Sequence, residues 1–250
     1  MSGHSKWSTI KRKKGAADAK RGQLFTKLGK EITIAARDGA DPDMNFKLRL
    51  VMDKAKAANM PKENIERAIR RGAGLDKDAA VLEEVMYEGY GPHGVAIIIQ
   101  VVTDNRNRSV ADIRRWFNKL GGSLGEAGCV AWQFEQKGYF TLEPDGIDPD
   151  EVFEIAVEWG ADDVVISDDL IEVFTAPDDF HTVREVLERR GYTLESAELT
   201  MVPKTTIALN EKQAFQNMNL ISTLEELDDV QEVFSNLDIT DELMAKFEAD

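Results

Sequence analysis

The chain has 250 residues, of which 42% are hydrophobic and 31% are charged, and its formal net charge is −15. It contains no run of about 18 apolar residues, and no apolar segment follows its basic start, so we expect neither a bilayer-spanning helix nor a secretory signal. The single cysteine, Cys129, excludes an internal disulfide and is typical of the reducing cytoplasm, where we expect the protein to be located.

The charge is segregated along the chain. Residues 1–80 contain 19 Lys and Arg against 10 Asp and Glu, a net of +9, whereas residues 131–250 contain 7 against 30, a net of −23. Such asymmetry indicates a polyanionic partner for the basic end and a solvating or repelling role for the acidic end. The charge pattern therefore predicts a nucleic-acid partner, and the lack of a long apolar run predicts no membrane partner.

Helical periodicity dominates the first third of the chain. It predicts helices over residues 16–37, 42–59 and 61–72, which would form a three-helix bundle inside a basic domain of residues 1–80. The first helix has an apolar face and a separate basic face, the latter formed by Lys20, Lys27, Lys30 and Arg37. We expect one face to pack and the other to contact phosphates.

Strand patterns begin after residue 80. Residues 84–90 and 95–102 predict a strand pair, residues 109–122 a helix with a capping box of Ser109 and Asp112, and residues 130–134 a further strand. Residues 204–209, 211–227 and 229–237 predict a strand, a helix and a strand that would complete the same α/β domain. This domain would be discontinuous, with residues 81–135 plus 204–240.

The segment between these two parts has its own pattern. Its predicted strands are 138–144, 163–167, 170–175 and 192–202, and its predicted helices are 150–159 and 178–190. The order βαββαβ is that of a ferredoxin-like domain, which we assign to residues 136–203, inserted in the discontinuous domain. Residues 241–250 are predicted to be an acidic C-terminal tail. The predicted fold class is α+β multidomain: a helical bundle followed by two α/β domains, ferredoxin-like or related.

No pattern in the chain indicates catalysis. His4, His93 and His181 are scattered and lack the spacing of a metal site. The stretch "GGSLGEAG" (121–128) follows a predicted helix and precedes a predicted strand, the reverse of a phosphate-binding loop, so we interpret it as a connection. We therefore predict no enzyme, no metal, no cofactor and no small-molecule substrate.

The basic opening is the main candidate for binding. Its cationic residues are Lys6, Lys11, Arg12, Lys13, Lys14, Lys20 and Arg21, and they lead into Lys27 and Lys30 of the first helix. Contacts of these side chains with phosphates would give affinity that falls steeply with salt. Trp7 would either stack on a base or pack against the bundle. The alternative for the cationic run is a solvated tail.

Two further clusters are weaker candidates. Arg106 and Arg108, in a predicted loop before a helix N-terminus, would either clamp a phosphate or pair with carboxylates of the acidic half. Arg114, Arg115 and Lys119 follow on that helix and favour binding. Tyr87 and Tyr90 lie in a glycine-rich turn, which is either a hairpin or a platform for stacking on bases.

These stretches resemble the YebC/PmpR family. The resemblance is carried by "GHSKW" (3–7), "DAKRGQLFTKLGKEI" (18–32), "NMPKENIERAI" (59–69), "YEGYGP" (87–92), "DNRNR" (104–108), "GGSLGEAG" (121–128) and "DDVQEV" (228–233). It implies a helical N-terminal domain and two α/β domains, one inserted in the other. Cys129, where members commonly have Ser, is a departure at a position that we expect to be buried.

The resemblance leaves the nucleic acid open. Members are usually described as probable transcriptional regulators that bind DNA, whereas mitochondrial relatives resemble translational activators and bacterial relatives are implicated in ribosome function on proline-rich stretches. We predict a ribosome- or RNA-associated translation factor, with a DNA-binding transcriptional regulator as the alternative. The second alternative is a protein-interaction module acting through the acidic domains. We expect a monomer or a weak dimer.

Overall fold

The computed structural model describes residues 18–76, 80–167 and 170–249. The protein is α+β, and its strands form two four-stranded antiparallel sheets. The described residues separate into two compact units. Residues 134–204 form one of them, here named the inserted unit, and the described parts of 2–133 and 205–250 form the other, here named the main unit.

Helices and strands are numbered in chain order. The helices are α1 (Asp18–Ala35), α2 (Phe46–Ala57), α3 (Lys62–Gly72), α4 (Arg106–Lys119), α5 (Pro149–Glu158), α6 (Phe180–Arg189), α7 (Glu211–Glu225) and α8 (Asp241–Ala249). The strands are β1 (Glu83–Tyr90), β2 (Ala96–Thr103), β3 (Ser123–Leu124), β4 (Phe134–Leu142), β5 (Ala161–Ile166), β6 (Ile171–Thr175), β7 (Ser196–Pro203) and β8 (Val230–Ser235). Short 3₁₀ turns lie at Ala36–Asp38, Pro92–Gly94 and Ala131–Gln133.

The first three helices share one apolar core. Leu28 and Ile32 of α1, Leu48 and Ala55 of α2, and Ile65 of α3 are buried in it. Packing of apolar helix faces against one another supplies most of the stability of helices of this length. The periodicity of the sequence therefore located this core.

The boundary between α1 and α2 differs from the prediction because a polar side chain fixes it. Asn45 caps α2, accepting a hydrogen bond from Leu48 N at 3.0 Å and donating to the carbonyl oxygens of Ala35 and Gly39, each at 2.7 Å. Helix α2 consequently begins four residues later than predicted from the sequence pattern, at Phe46.

The sheet of the main unit has the strand order β3-β1-β2-β8. Alternate side chains of a strand point to the same face, and Ile97, Ile99 and Val101 of β2 are buried together with Phe117 of α4 and Met218 of α7. The two helices thus pack on one face of this sheet and form its core.

Three predictions in this unit are wrong. Residues 130–134 do not form a strand, because Ala131–Gln133 is a 3₁₀ turn and β4 starts at Phe134. Residues 204–209 contribute a single bridge, between Ile207 and Leu237. Helix α4 begins at Arg106 and not at Ser109, because Asn105 accepts the hydrogen bond of Arg108 N at 3.1 Å and caps the helix.

The inserted unit has the element order β4-α5-β5-β6-α6-β7 and the strand order β5-β6-β4-β7. This connectivity is that of a ferredoxin-like domain. Its first strand is longer than predicted and starts at Phe134, which pairs with Pro203 at the end of the last strand. The chain therefore enters and leaves the unit at neighbouring positions of one sheet.

The C-terminal segment expected to be an acidic tail is a helix, α8, over the described residues. Met244 is buried in the core of the main unit, and Leu243 and Phe247 pack against that core. Phe247 also contacts Phe215 of α7 edge-on, with ring centroids 5.4 Å apart. Apolar residues at helical spacing therefore anchor this segment on the core of the main unit, although its acidic composition indicated a solvated tail.

Candidate nucleic-acid interface

The structure covers only part of the predicted interface. Lys6, Trp7, Lys11, Arg12, Lys13 and Lys14 lie outside the described residues, as does the side chain of Lys20. The remaining predicted residues lie in the main unit: Arg21, Lys27 and Lys30 in α1, Tyr87 and Tyr90 in β1, and Arg106 and Arg108 in α4. Arg21 is exposed near the start of α1.

The basic face of α1 contacts the end of α7. Lys27 Nζ donates to the carbonyl oxygen of Glu225 at 2.6 Å, Lys30 Nζ donates to that of Asp228 at 2.8 Å, and the Gln23 amide donates to that of Glu226. The last carbonyl groups of a helix lack partners inside the helix and carry partial negative charge, so cations are favourable there. Lys27 and Lys30 thus hold α1 beside the C-terminal end of α7.

Asp229, just before β8, accepts hydrogen bonds from three elements. Its Oδ1 accepts from Lys30 Nζ of α1 at 2.7 Å. Its Oδ2 accepts from Arg108 Nη2 at 2.8 Å and from Ser109 Oγ at 2.7 Å, both in α4, and lies 3.2 Å from Thr103 Oγ1 at the end of β2. One carboxylate therefore connects the N-terminal helices to the sheet of the main unit.

The pKa of Asp229 reflects this environment. Burial alone would raise the pKa of this carboxyl, but the hydrogen bonds from Lys30, Arg108 and Ser109 and the charge of Lys30 outweigh burial and hold it well below its ordinary value. The Asp229 carboxyl is consequently ionised at neutral pH and forms ion pairs with Lys30 and Arg108.

The structure places Arg106 and Arg108, the predicted phosphate clamp, differently from the prediction. Arg106 and Arg108 lie in the first turn of α4 and not in a loop. Arg108 Nη2 contacts Asp104 at 3.0 Å as well as Asp229, so carboxylates of the protein itself hold this side chain. Arg106 Nη1 lies 3.6 Å from Glu83, and both side chains of that pair are more than half exposed. The structure thus favours the ion-pair interpretation for Arg108 and leaves Arg106 exposed at the surface.

The two tyrosines are half-buried and hydrogen-bonded. Tyr87 packs against the core of the main unit, and its hydroxyl lies 3.4 Å from the Arg106 carbonyl oxygen. The Tyr90 hydroxyl donates to the Cys129 carbonyl oxygen at 3.0 Å. These contacts favour the hairpin interpretation of the glycine-rich turn over a stacking platform.

Sequence reasoning missed a buried carboxylate, Glu88 of β1. It accepts backbone N–H bonds from Gly128 at 2.6 Å, Val130 at 2.8 Å and Ala131 at 2.7 Å. Burial would raise the pKa of Glu88, but these three bonds lower it below its ordinary value. Burial and the charge of Glu88 raise the pKa of the Cys129 thiol, so this cysteine stays protonated. The glycine-rich stretch is therefore a connection fastened at its end by Glu88.

The outward face of α4 presents a separate set of cations. Arg114, Arg115 and Lys119 are exposed, and within the described ranges none of them forms an ion pair. Lys119 Nζ lies 4.5 Å and Arg115 Cζ 5.7 Å from the centre of the Trp116 ring. Cation–π contact of this kind orients a cation without neutralising its charge. This set, here named the α4 basic face, remains able to attract an anion.

Two further observations bound the chemistry of the described residues. They include no group of three or more His, Cys, Asp or Glu side chains arranged to hold a metal ion. They also include no helix long and apolar enough to span a bilayer.

Two family models match the chain. The model described as the TACO1/YebC protein N-terminal domain matches residues 5–75. The model described as the TACO1/YebC second and third domain matches residues 82–237. Together they span all the elements described above except α8.

Individual relatives are similar over nearly the full length. A probable transcriptional regulatory protein of Trichlorobacter lovleyi is 53% identical over 247 residues, which cover 98% of this chain and 99% of the relative. One of Chloroflexus aurantiacus is 53% identical over 253 residues, with both chains covered completely. The crystal structure of a conserved hypothetical protein from Aquifex aeolicus is similar with a TM-score of 0.82 and 44% identity, over 90% of this chain and 93% of that one.

Proposed function

Because the chain belongs to the TACO1/YebC family, as its motifs predicted, we propose that it is a non-enzymatic regulator of gene expression that binds nucleic acid. The observation that carries this proposal is the segregation of charge. Residues 1–80 have a net charge of +9, whereas the inserted unit has 19 acidic and 5 basic residues, a net of −14. The basic part attracts phosphates and the inserted unit repels them.

The proposed contacts are the N-terminal cations and the α4 basic face. The N-terminal set comprises Lys6, Lys11, Arg12, Lys13, Lys14, Lys20 and Arg21, with Trp7 as a stacking group. Lys27 and Lys30 have a positioning role in this proposal, because their contacts with α7 and Asp229 fix the helix that follows the basic opening. Arg106 is a peripheral contact, and Arg108 positions the start of α4.

Structured RNA of the ribosome is the target that we favour. The lysines of α1 that would read a DNA groove are engaged with α7 and Asp229, and no other helix of the described N-terminal region can be nominated as a recognition helix. A long duplex also presents phosphates along its whole length, and these are repelled by the strongly acidic inserted unit. A local RNA site brings fewer phosphates near that unit.

A DNA-binding transcriptional regulator is the second candidate. It is favoured by the name of the relatives, which are called probable transcriptional regulatory proteins. Both candidates use the same N-terminal cations, so an experiment that separates them must offer the two nucleic acids in competition.

The test is co-sedimentation of the purified protein with ribosomes at about 0.15 M salt, with excess duplex DNA as competitor. We expect the protein to pellet with ribosomes despite the DNA and to lose this association when residues 2–22 are deleted. If the DNA removes the protein from the pellet, transcriptional regulation is the better description. If deletion of residues 2–22 changes neither interaction, the nucleic-acid role of the basic opening is wrong.

A charge-matched pair of variants makes the test sharper. Replacing Lys11, Arg12, Lys13 and Lys14 with Ala should weaken ribosome binding and flatten its dependence on salt, by about 0.7 to 0.9 in log–log slope per lost contact. The control replaces four exposed cations from the acidic part of the chain, Arg189, Arg190, Lys204 and Lys212, with Ala. It removes the same charge and should leave the slope unchanged.

A further inference from the structure

Helix α5 of the inserted unit has an apolar pair on its exposed surface. Phe153 and Val157, one helical turn apart, are each 45% exposed, and Trp159 directly after the helix is 44% exposed. Other residues of α5, namely Val152, Ile155 and Ala156, are buried in the interior of the unit. The exposed pair is therefore additional to the residues that pack the helix on its sheet.

Carboxylates surround this apolar pair. Apart from Phe153 and Val157, the exposed residues of α5 are Asp150, Glu151, Glu154 and Glu158. The wider segment 146–166 contains seven acidic residues and no basic one. In the described parts of the chain, Asp150, Glu154 and Glu158 form no ion pair. The outward surface of α5 thus combines exposed apolar groups with uncompensated negative charge.

From this combination we propose that the outward surface of α5 is a docking site for a cationic amphipathic segment of a partner protein. Apolar side chains of the partner at helical spacing would cover Phe153, Val157 and Trp159, and flanking Lys or Arg would pair with Glu154 and Glu158. This site goes beyond the proposed nucleic-acid function and does not depend on it.

Charge decides between the conceivable occupants. An isologous contact with a second copy of the chain would bring an identical acidic surface against this one. Nucleic acid and anionic lipid are repelled for the same reason. A cationic amphipathic segment is attracted by the carboxylates and covers the apolar pair, so it satisfies both features of the surface.

The experiment uses the full-length protein and a fluorescently labelled synthetic peptide of about 18 residues, with Leu on one helical face and Lys on the other. Binding is measured by fluorescence anisotropy at about 0.15 M salt. We expect saturable binding. A peptide of the same composition, scrambled so that it has no apolar face, should bind at least about tenfold more weakly.

Variants of the protein locate the site. Phe153→Ser with Val157→Ser should weaken peptide binding about tenfold or more, whereas Met44→Ser with Leu75→Ser, at residues that are 87% and 66% exposed elsewhere, should not change it. Glu154→Gln with Glu158→Gln should weaken binding and reduce its salt dependence, and the control Glu63→Gln with Glu66→Gln on α3 should do neither. All these side chains are exposed, and thermal unfolding checks that each variant is folded.

Each result supports or overturns the proposal. Selective loss in the two α5 variants supports it, and amide chemical-shift changes confined to α5 and its neighbours on peptide addition support it independently. The proposal is overturned if the wild-type protein does not bind the peptide. It is also overturned if the α5 variants and their controls bind it equally. Because nucleic acid is absent, failure here leaves the ribosome test unaffected.

Discussion

At the scale of single residues, Asp229 connects α1, α4 and the start of β8 through one carboxylate. In Asp229→Asn, Lys30 and the first turn of α4 lose their anionic acceptor while remaining largely in place. We expect the free energy of unfolding at pH 7 to fall by about 2 kcal/mol, the usual cost of leaving partly buried polar groups without a partner. Urea unfolding followed by circular dichroism measures this difference.

The pH dependence of the same variant tests the cause. The folded-state pKa of Asp229 lies below its unfolded value of about 3.9. The ionised form therefore contributes stability that is present above that value and lost as the pH falls below it. The difference between wild type and Asp229→Asn should be constant from about pH 6 to 8 and shrink below about pH 4.

The neighbouring carboxylate supplies the control for both measurements. Asp228 is exposed, and only its backbone oxygen contacts Lys30. Asp228→Asn removes the same charge one position earlier in the sequence and should change stability by less than about 0.5 kcal/mol. Equal losses in the two variants would indicate a general charge effect and refute a specific role for the Asp229 contacts.

At the scale of elements, α4 carries both cations that are paired with carboxylates and cations that are not. Arg108 is neutralised by Asp104 and Asp229, whereas the α4 basic face is not paired with any described carboxylate. Replacing Arg114, Arg115 and Lys119 with Ala should weaken ribosome co-sedimentation and make its log–log salt slope shallower by about 2. Replacing Arg189, Arg190 and Lys204 with Ala should not. An unchanged slope in the first variant would indicate that these cations are solvated and do not contact the nucleic acid.

Element types were predictable where a strong period coincides with packing. Apolar spacing located the N-terminal helices. The continuous apolar run predicted β2, and the pattern of residues 136–203 predicted the order of elements in the inserted unit. Residues 130–134 were predicted to be a strand because their apolar residues fit that pattern. In the structure, the backbone N–H groups of Gly128 and Val130 are bound by the carboxylate of Glu88, which lies 40 or more positions earlier. A local pattern cannot report a hydrogen bond to such a distant residue.

The same limit applies to the candidate site. The sequence indicated that Arg108 would meet either a phosphate or a carboxylate, but its partner Asp229 lies 121 positions away. Ser109 was assigned as a cap because its spacing to Asp112 fits a capping box, whereas Asn105, four residues earlier, caps the helix. The positive charge of this region was therefore predictable from composition. The fold was needed to show which of its cations are paired with carboxylates.

At the scale of the whole molecule, charge segregation and chain connectivity coincide. The inserted unit, residues 134–204, has a net charge of −14 out of the total of −15. Its first and last strands are hydrogen-bonded neighbours, with Phe134 opposite Pro203. Most of the net negative charge is thus contained in a segment whose two ends lie side by side, where paired residues are about 5 Å apart.

This coincidence allows the acidic unit to be removed by itself. We expect that replacing residues 134–204 with a Gly–Ser linker of about four residues leaves a folded main unit, since the linker spans two adjacent positions and the remaining chain has a net charge of only −1. Circular dichroism and cooperative thermal unfolding measure this. If the shortened chain does not fold, the proposed division into an inserted and a discontinuous domain is wrong.

The shortened chain also tests why RNA is favoured over DNA. If the acidic unit repels long duplexes, its removal should strengthen binding to duplex DNA by about tenfold or more at about 0.05 M salt, and less as salt screens the repulsion. Ribosome binding, which uses a local site, should change less. Anisotropy of a labelled duplex measures the first quantity and co-sedimentation the second. A folded, shortened chain with unchanged affinity for duplex DNA would mean that the acidic unit does not discriminate between nucleic acids, and the charge argument for RNA would fail.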